Sequence, residues 1–141
     1  MLTVNPYLNF DGDCKAAFEF YAQLLGGKLD VQTFGESPMG ADVGPEMKNR
    51  VLHARLDLGQ TVLMASDAQV GQYQKPKSFA VSIQVDTAAD ADRIFAGLAE
   101  NGSVDMPIQE TFWAERFGMC RDRFGTPWMV NCSKVMAGAS A

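Results

Sequence analysis

A single histidine, His53, confines any imidazole chemistry in this chain to one position. It lies where His53, Arg55 and Asp57 alternate with Leu52, Ala54, Leu56 and Leu58, the period-two pattern of a strand with one polar face. There it reads either as a base or hydrogen-bond donor toward a ligand, or as a strand histidine bonded to a neighbour. The turn at Gly59 decides its company. A three-residue loop would set His53 on the face of Leu63, and a two-residue loop would set it opposite.

Neutral polar groups recur at the same spacing elsewhere. Asn5, Tyr7 and Asn9 alternate with Pro6, Leu8 and Phe10, and Ser82 and Gln84 alternate with Val81, Ile83 and Val85. Such faces offer hydrogen bonds without charge, to a ligand or to solvent. Trp113, with Phe112 and beside Glu110 and Arg116, can stack on a ligand or close a subunit interface. Cys14, Cys120 and Cys132 are odd in number and lack C-x-x-C spacing, which suits buried free thiols rather than a disulfide framework or a structural zinc site. The chain has no G-x-x-x-x-G-K-[ST], no G-x-G-x-x-G after a strand, no G-x-S-x-G and no H-E-x-x-H. Nucleotide hydrolysis, dinucleotide redox chemistry and the common hydrolase triads therefore lack their parts.

The elements that must position these residues follow from periodicity. Pro6 to Phe10 reads as a strand, Asp11-Gly12-Asp13 as a turn with a capping carboxylate, and Ala17, Phe20, Tyr21 and Leu24 as a helical stripe that Gly26-Gly27 ends. Strands are expected at 29–34, 51–57 and 61–65, with a loop over 35–48 that is either a binding element or plain irregular chain. A second set follows. A strand at 79–85 precedes a helix opened by Thr87 with Asp90, striped by Ala91, Ile94, Phe95 and Leu98, and stopped at Asn101-Gly102. Strands at 104–111, 116–121 and 128–132 complete it, and 135–141 is expected to fray.

Those two sets are the same βαβββ order written twice. Asn5 to Gly27 maps onto Ala80 to Gly102 at an offset of 75, and Leu58 to Met64 maps onto Phe124 to Val130 at an offset of 66. The chain reads as one α+β domain of 141 residues made of two modules, about 1–70 and 78–134. A paired architecture of this kind places a shared cleft between its modules, where a ligand is expected. With 12 basic against 17 acidic residues and a net charge of −5, nucleic acid and anionic membrane are disfavoured as partners. No apolar run reaches bilayer length and no signal peptide is evident, so a cytoplasmic setting is expected.

The duplicated pattern, with Phe20-Tyr21 in the first helix and Asp122-Arg123-Phe124-Gly125 before the last strand, resembles the vicinal oxygen chelate superfamily of glyoxalases, bleomycin resistance proteins and extradiol dioxygenases. Within it the chain is similar to the PhnB-like branch, through Pro6-Tyr7-Leu8-Asn9-Phe10, His53-Ala54-Arg55-Leu56, Met64-Ala65-Ser66-Asp67, Thr111-Phe112-Trp113 and Asp122 to Trp128. The resemblance implies curved sheets around an open cleft lined by the polar strand faces, and a homodimer. In the metal-dependent members each module supplies one ligand from its first strand and one from its last, usually His and Glu. The repeat offsets place those positions at Asn5 and Leu63 in one module and at Ala80 and Met129 in the other.

None of the four suits a hard or borderline divalent ion, which needs oxygen or imidazole donors. The resulting expectation is a small-molecule-binding protein without the usual metal site and with no cofactor, whose ligand contacts are Asn5, Tyr7, Asn9, His53, Leu63, Ser82, Gln84, Trp113 and Met129. Catalytic residues are unassigned. Two alternatives stand beside it: a metal-dependent lyase, isomerase or dioxygenase with displaced ligands such as His53 with Asp57 or Glu110, and an interaction module whose cleft its own side chains fill. The ubiquinone-pathway methyltransferase label carried by similar proteins finds no glycine-rich nucleotide loop to support it.

Overall fold

The computed structural model describes residues 1–134, and the tail at 135–141 lies outside the described residues. The chain divides into two compact units, Met1–Gln74 and the remainder from Lys75. Each unit contains a four-stranded sheet and one long helix.

In the first unit the elements are β1 (Tyr7–Phe10), α1 (Cys14–Leu25), β2 (Lys28–Thr33), α2 (Pro45–Lys48), β3 (Val51–Asp57) and β4 (Val62–Asp67). The sheet order is β1-β4-β3-β2. β1 joins β4 in parallel, with Tyr7 opposite Met64 and Asn9 opposite Ser66, whereas β2, β3 and β4 form an antiparallel meander. Alternation then sorts the side chains. Leu8 and Phe10 share a face with Ala54, Leu56, Leu63 and Ala65, all buried, and Phe10 meets Phe18 of α1 edge to face at 6.1 Å. That face carries the helix.

The buried stripe of α1 is Cys14, Ala17, Phe18 and Tyr21, rather than the expected Ala17, Phe20, Tyr21 and Leu24. Phe18 packs on the sheet while Phe20 and Leu24 are half-buried. A second difference concerns the helix start. Asp13 makes no side-chain cap, because the carboxylate that serves the turn comes from the end of β4. Asp67 Oδ1 accepts from the backbone N–H of Gly12 at 2.8 Å and of Cys14 at 3.1 Å, and Oδ2 accepts from Val51 N–H at 2.8 Å. One carboxylate, only 4% exposed, thus ties β4 to the first turn and to the start of β3. The expected loop at 35–48 ends in a single helical turn, α2.

The second unit runs β5 (Val81–Gln84), α3 (Ala88–Ala99), β6 (Ser103–Gln109), β7 (Ala114–Arg121) and β8 (Pro127–Ser133), in sheet order β5-β8-β7-β6. Thr87 caps α3 by accepting from Asp90 N–H at 3.1 Å, and Ala91, Ile94, Phe95 and Leu98 are its buried face, as the spacing indicates. Gly118 lets the helix approach β7: a Cβ there would stand 2.7 Å from the Phe95 ring. Asp122 organises the turn into β8, accepting from Phe124 N–H, Thr126 N–H and Trp128 Nε1–H at 2.8 to 3.0 Å. Trp128 is core, on the helix side, as expected.

Removing the Asp67 carboxylate leaves three backbone donors without their acceptor, two of them in buried bonds. Asp67→Ala is expected to cost about 2–4 kcal/mol of stability, and Asp67→Asn less, since Oδ1 survives as an acceptor. Urea denaturation monitored by circular dichroism checks the order of the two variants.

Candidate functional site

The face of each sheet away from its helix is where strand alternation sends the polar residues. In the first unit this face carries Tyr7 and Asn9 from β1, Met64 and Ser66 from β4, His53, Arg55 and Asp57 from β3, and Lys28, Asp30 and Gln32 from β2. Asn5 lies just before β1 and is half-buried. Asn9 and Ser66, opposite in register, approach at 3.4 Å between Oδ1 and Oγ. The His53 ring lies 6.1 Å from that of Tyr7. Charge is kept to β2 and β3, where Asp30 stands opposite Arg55 and Lys28 opposite Asp57.

Leu63 does not belong to this set. It is 4% exposed and pairs with Leu56 on the helix side, so its candidacy as a ligand contact is corrected to Met64. The turn explains the error. Leu58 N–H donates to Thr61 O, which closes a two-residue loop at Gly59-Gln60 and puts His53 on the face opposite Leu63. In the second unit Asp122 N–H donates to Thr126 O, a loop one residue longer. Aligning the two glycines therefore leaves β4 out of phase with β8, and the structural counterpart of Met129 is Met64, at an offset of 65.

In the second unit the corresponding face carries Ser82 and Gln84 from β5, Met129 and Asn131 from β8, and Phe117 and Met119 from β7. Met129 stands opposite Ser82 on one side and Met119 on the other, and Asn131 stands between Gln84 and Phe117. Trp113, 45% exposed, meets Phe117 at 5.3 Å. Phe112, 88% exposed, meets Trp113 at 4.8 Å. Ser82 and Gln84 were expected to continue the floor begun by Asn5, Tyr7 and Asn9. In the structure β5 pairs with β8 in the sheet of the second unit, and β1 with β4 in the sheet of the first.

Sequence reasoning missed Ser66 and Asn131. Both could have been found by carrying the alternation two residues beyond Met64 and Met129, since Asn9–Ser66 and Gln84–Asn131 are equivalent pairs across the parallel strands of the two units.

The donor set does not fit the usual divalent metal. On these faces the first and last strands offer amides, hydroxyls, a phenol and thioethers, and no carboxylate or imidazole. Among the described residues no three His, Cys, Asp or Glu side chains gather to hold an ion. The displaced pair His53 and Asp57 is not assembled either, because four residues along one strand separate them by about 13 Å. Glu110 is engaged with Lys134 at 3.2 Å.

All three thiols are buried. Burial, with Asp67 nearby, pushes Cys14 far above the usual thiol range, burial with Asp122 pushes Cys120 up to about 11, and burial with the Glu115 carboxylate raises Cys132. These are inert packing groups rather than nucleophiles.

The family model of the glyoxalase/bleomycin resistance protein/dioxygenase superfamily matches residues 3–130. The chain belongs to that superfamily. It is 33% identical to Protein YjdN of Escherichia coli over 142 residues, covering 94% of this chain and 97% of that one. Among solved structures it resembles protein PA1353 of Pseudomonas aeruginosa, with 46% identity, a TM-score of 0.87 and coverage of 96% and 100%. A PhnB protein of Bacillus cereus, titled a putative 3-demethylubiquinone-9 3-methyltransferase, shares the fold at 21% identity and a TM-score of 0.77, covering 94% of this chain and 100% of that one. No helix among the described residues is long and apolar enough to cross a membrane.

The thiols generate a prediction. A thiol whose pKa is raised by folding stabilises the native state below its unfolded pKa, near 9, and that contribution is lost as pH climbs through the folded value. Stability should therefore decline above about pH 9, and a disulfide-exchange reagent at pH 8 should titrate no thiol until denaturant is added. Prompt reaction of one thiol in the native protein would contradict the burial.

Proposed function

We propose that this member of the superfamily binds a small organic molecule through neutral hydrogen bonds and aromatic contact, without the metal site of its metal-dependent relatives. The observation that carries the reading is the chemistry of the paired first and last strands: Met64 stands opposite Tyr7 and Met129 opposite Ser82, and the first-strand positions at which the resemblance would place a metal ligand are Asn5 and Ala80. A thioether is a poor partner for a hard or borderline ion, while amides and hydroxyls framed by methionine and aromatic groups suit an uncharged organic ligand.

Asn5, Tyr7, Asn9 and His53 are proposed contacts in the first unit, and Ser82, Gln84, Met129 and Trp113 in the second. Met64 takes the place of Leu63. The homodimer implied by the resemblance and the cytoplasmic setting expected from the sequence go with this reading. The methyltransferase activity named for the Bacillus cereus protein forms no part of this reading, since a likeness at 21% identity supports the fold alone.

Two measurements on untagged protein test the proposal. After incubation with Mg²⁺, Mn²⁺, Ni²⁺, Zn²⁺ and Fe²⁺ and desalting, mass spectrometry should find no ion retained near stoichiometry, and a fragment panel followed by NMR should give saturable shifts on the faces away from the helices. Stoichiometric retention of one ion would replace the proposal with a metalloenzyme.

A further inference from the structure

In the second unit four side chains form a hydrogen-bonded string with a direction. Gln84 Nε2 donates to Ser82 Oγ at 3.2 Å, and Asn131 Nδ2 donates to Gln84 Oε1 at 2.7 Å and to Ser133 Oγ at 3.0 Å. Both Nδ2 protons are thereby used, and the backbone carbonyl of Asn131 accepts from Val85 N–H. What remains is Asn131 Oδ1. It is buried, no protein group donates to it, and it is the sole side-chain nitrogen or oxygen in that condition among the described residues. Asn131 as a whole is 8% exposed.

An unpaired buried amide oxygen is costly, because it gives up its bonds to water without replacement. Turning this amide alone does not help, since Oδ1 would then face the Gln84 Oε1 that Nδ2 now serves, and turning Gln84 with it still leaves one amide group of Asn131 unpaired, because the Ser82 and Ser133 hydroxyls donate as well as accept. In the direction the string runs in the structure, the acceptor Oδ1 is the group left over, and bonds passed along such a string polarise one another.

The neighbours define what an occupant would look like. Phe117 is directly opposite Asn131 in register and Met129 lies two residues away on the same face. Trp113 continues the aromatic surface from Phe117 at 5.3 Å. Flat ring faces and thioethers suit a planar apolar body, and a single unpaired acceptor among them suits one donor on its rim.

We infer that Asn131 Oδ1 is the recognition group of a subsite, within the second unit, for a flat aromatic molecule bearing one N–H or O–H donor. The inference rests on the small-molecule reading above and narrows its ligand class. The donor bonds to Oδ1 while the ring lies against Phe117 and Trp113.

Matched probes that differ in the donor alone test this: indole against 1-methylindole, and phenol against anisole, titrated into the whole chain and followed by the Asn131 side-chain amide and the Trp113 indole signals. Indole and phenol should shift both groups saturably, and each methylated partner should bind roughly tenfold more weakly. In Asn131→Leu, close in shape but without the acceptor, the preference within each pair should fall to about unity. Equal affinities within both pairs in the wild type would overturn the inference and assign Oδ1 to an ordered water, with the broader binding reading intact. So would saturable shifts that leave Asn131 unmoved. Stoichiometric metal retention, by contrast, would overturn the broader reading itself.

Discussion

The constraint on which the rest of this structure depends is the parallel pairing of the first strand of each unit with its last. No local turn sets that register: Tyr7 and Met64 are opposite one another across the whole sequence of their unit, so the pairing must be fixed by groups that reach across it. In the first unit Asp67 does this, holding the Gly12 and Cys14 amides from the end of β4 while its second oxygen holds Val51. A slip of one residue would move that carboxylate to the other face, and with it Ala65 and Leu63 out of the core. Three bonds on one carboxylate, two of them buried, make such a slip costly, which keeps Met64 and Ser66 on the side away from the helix.

The second unit reaches the same pairing by other means. Its helix is capped locally by Thr87, which relieves the last strand of the task Asp67 performs, and the position equivalent to Asp67 is Cys132, a buried thiol. The carboxylate that organises this unit is Asp122, which braces the β7–β8 turn and the Trp128 indole. Register across β5 and β8 is then reinforced by Asn131, whose side chain and backbone carbonyl both bond to β5 and the residue after it. Two units of one ancestry of pattern thus spend their polar groups differently, and the unit that pins its register with a neutral amide is the one left with an unpaired acceptor.

How much of this was legible in the sequence follows from the range over which each signal acts. The stripe of α3, the extent of β3 and the inward Trp128 depend on local periodicity, and the structure places them as the spacing indicates. The α1 cap was not legible, because Asp13 sits at the right position for a cap while Asp67, fifty-three residues from Cys14, holds the bond. Phe18 was passed over in favour of Phe20 because both fit a helical stripe when the sheet beneath is unknown. Leu63 was misplaced by a single residue of turn length: glycines that align in sequence close loops of different size, Leu58 to Thr61 and Asp122 to Thr126, and period-two alternation converts that one residue into the opposite face.

The same arithmetic strengthens the argument about chemistry. With β4 and β8 in true register, the positions facing away from the helices hold Met64 with Ser66 and Met129 with Asn131, a thioether followed by a neutral polar group in both units. An apolar frame raises the strength of each hydrogen bond made inside it and also the cost of each one missed. A surface of this kind discriminates poorly by size, since a methylene more or less is a small change against methionine, but sharply by hydrogen-bond inventory, because a ligand lacking the complementary group leaves the protein's own group unpaired. Under the binding reading proposed above, such pairs favour the placement of a donor or acceptor on an uncharged molecule, and the strand pairing that holds the face in position is indifferent to which polar group stands there.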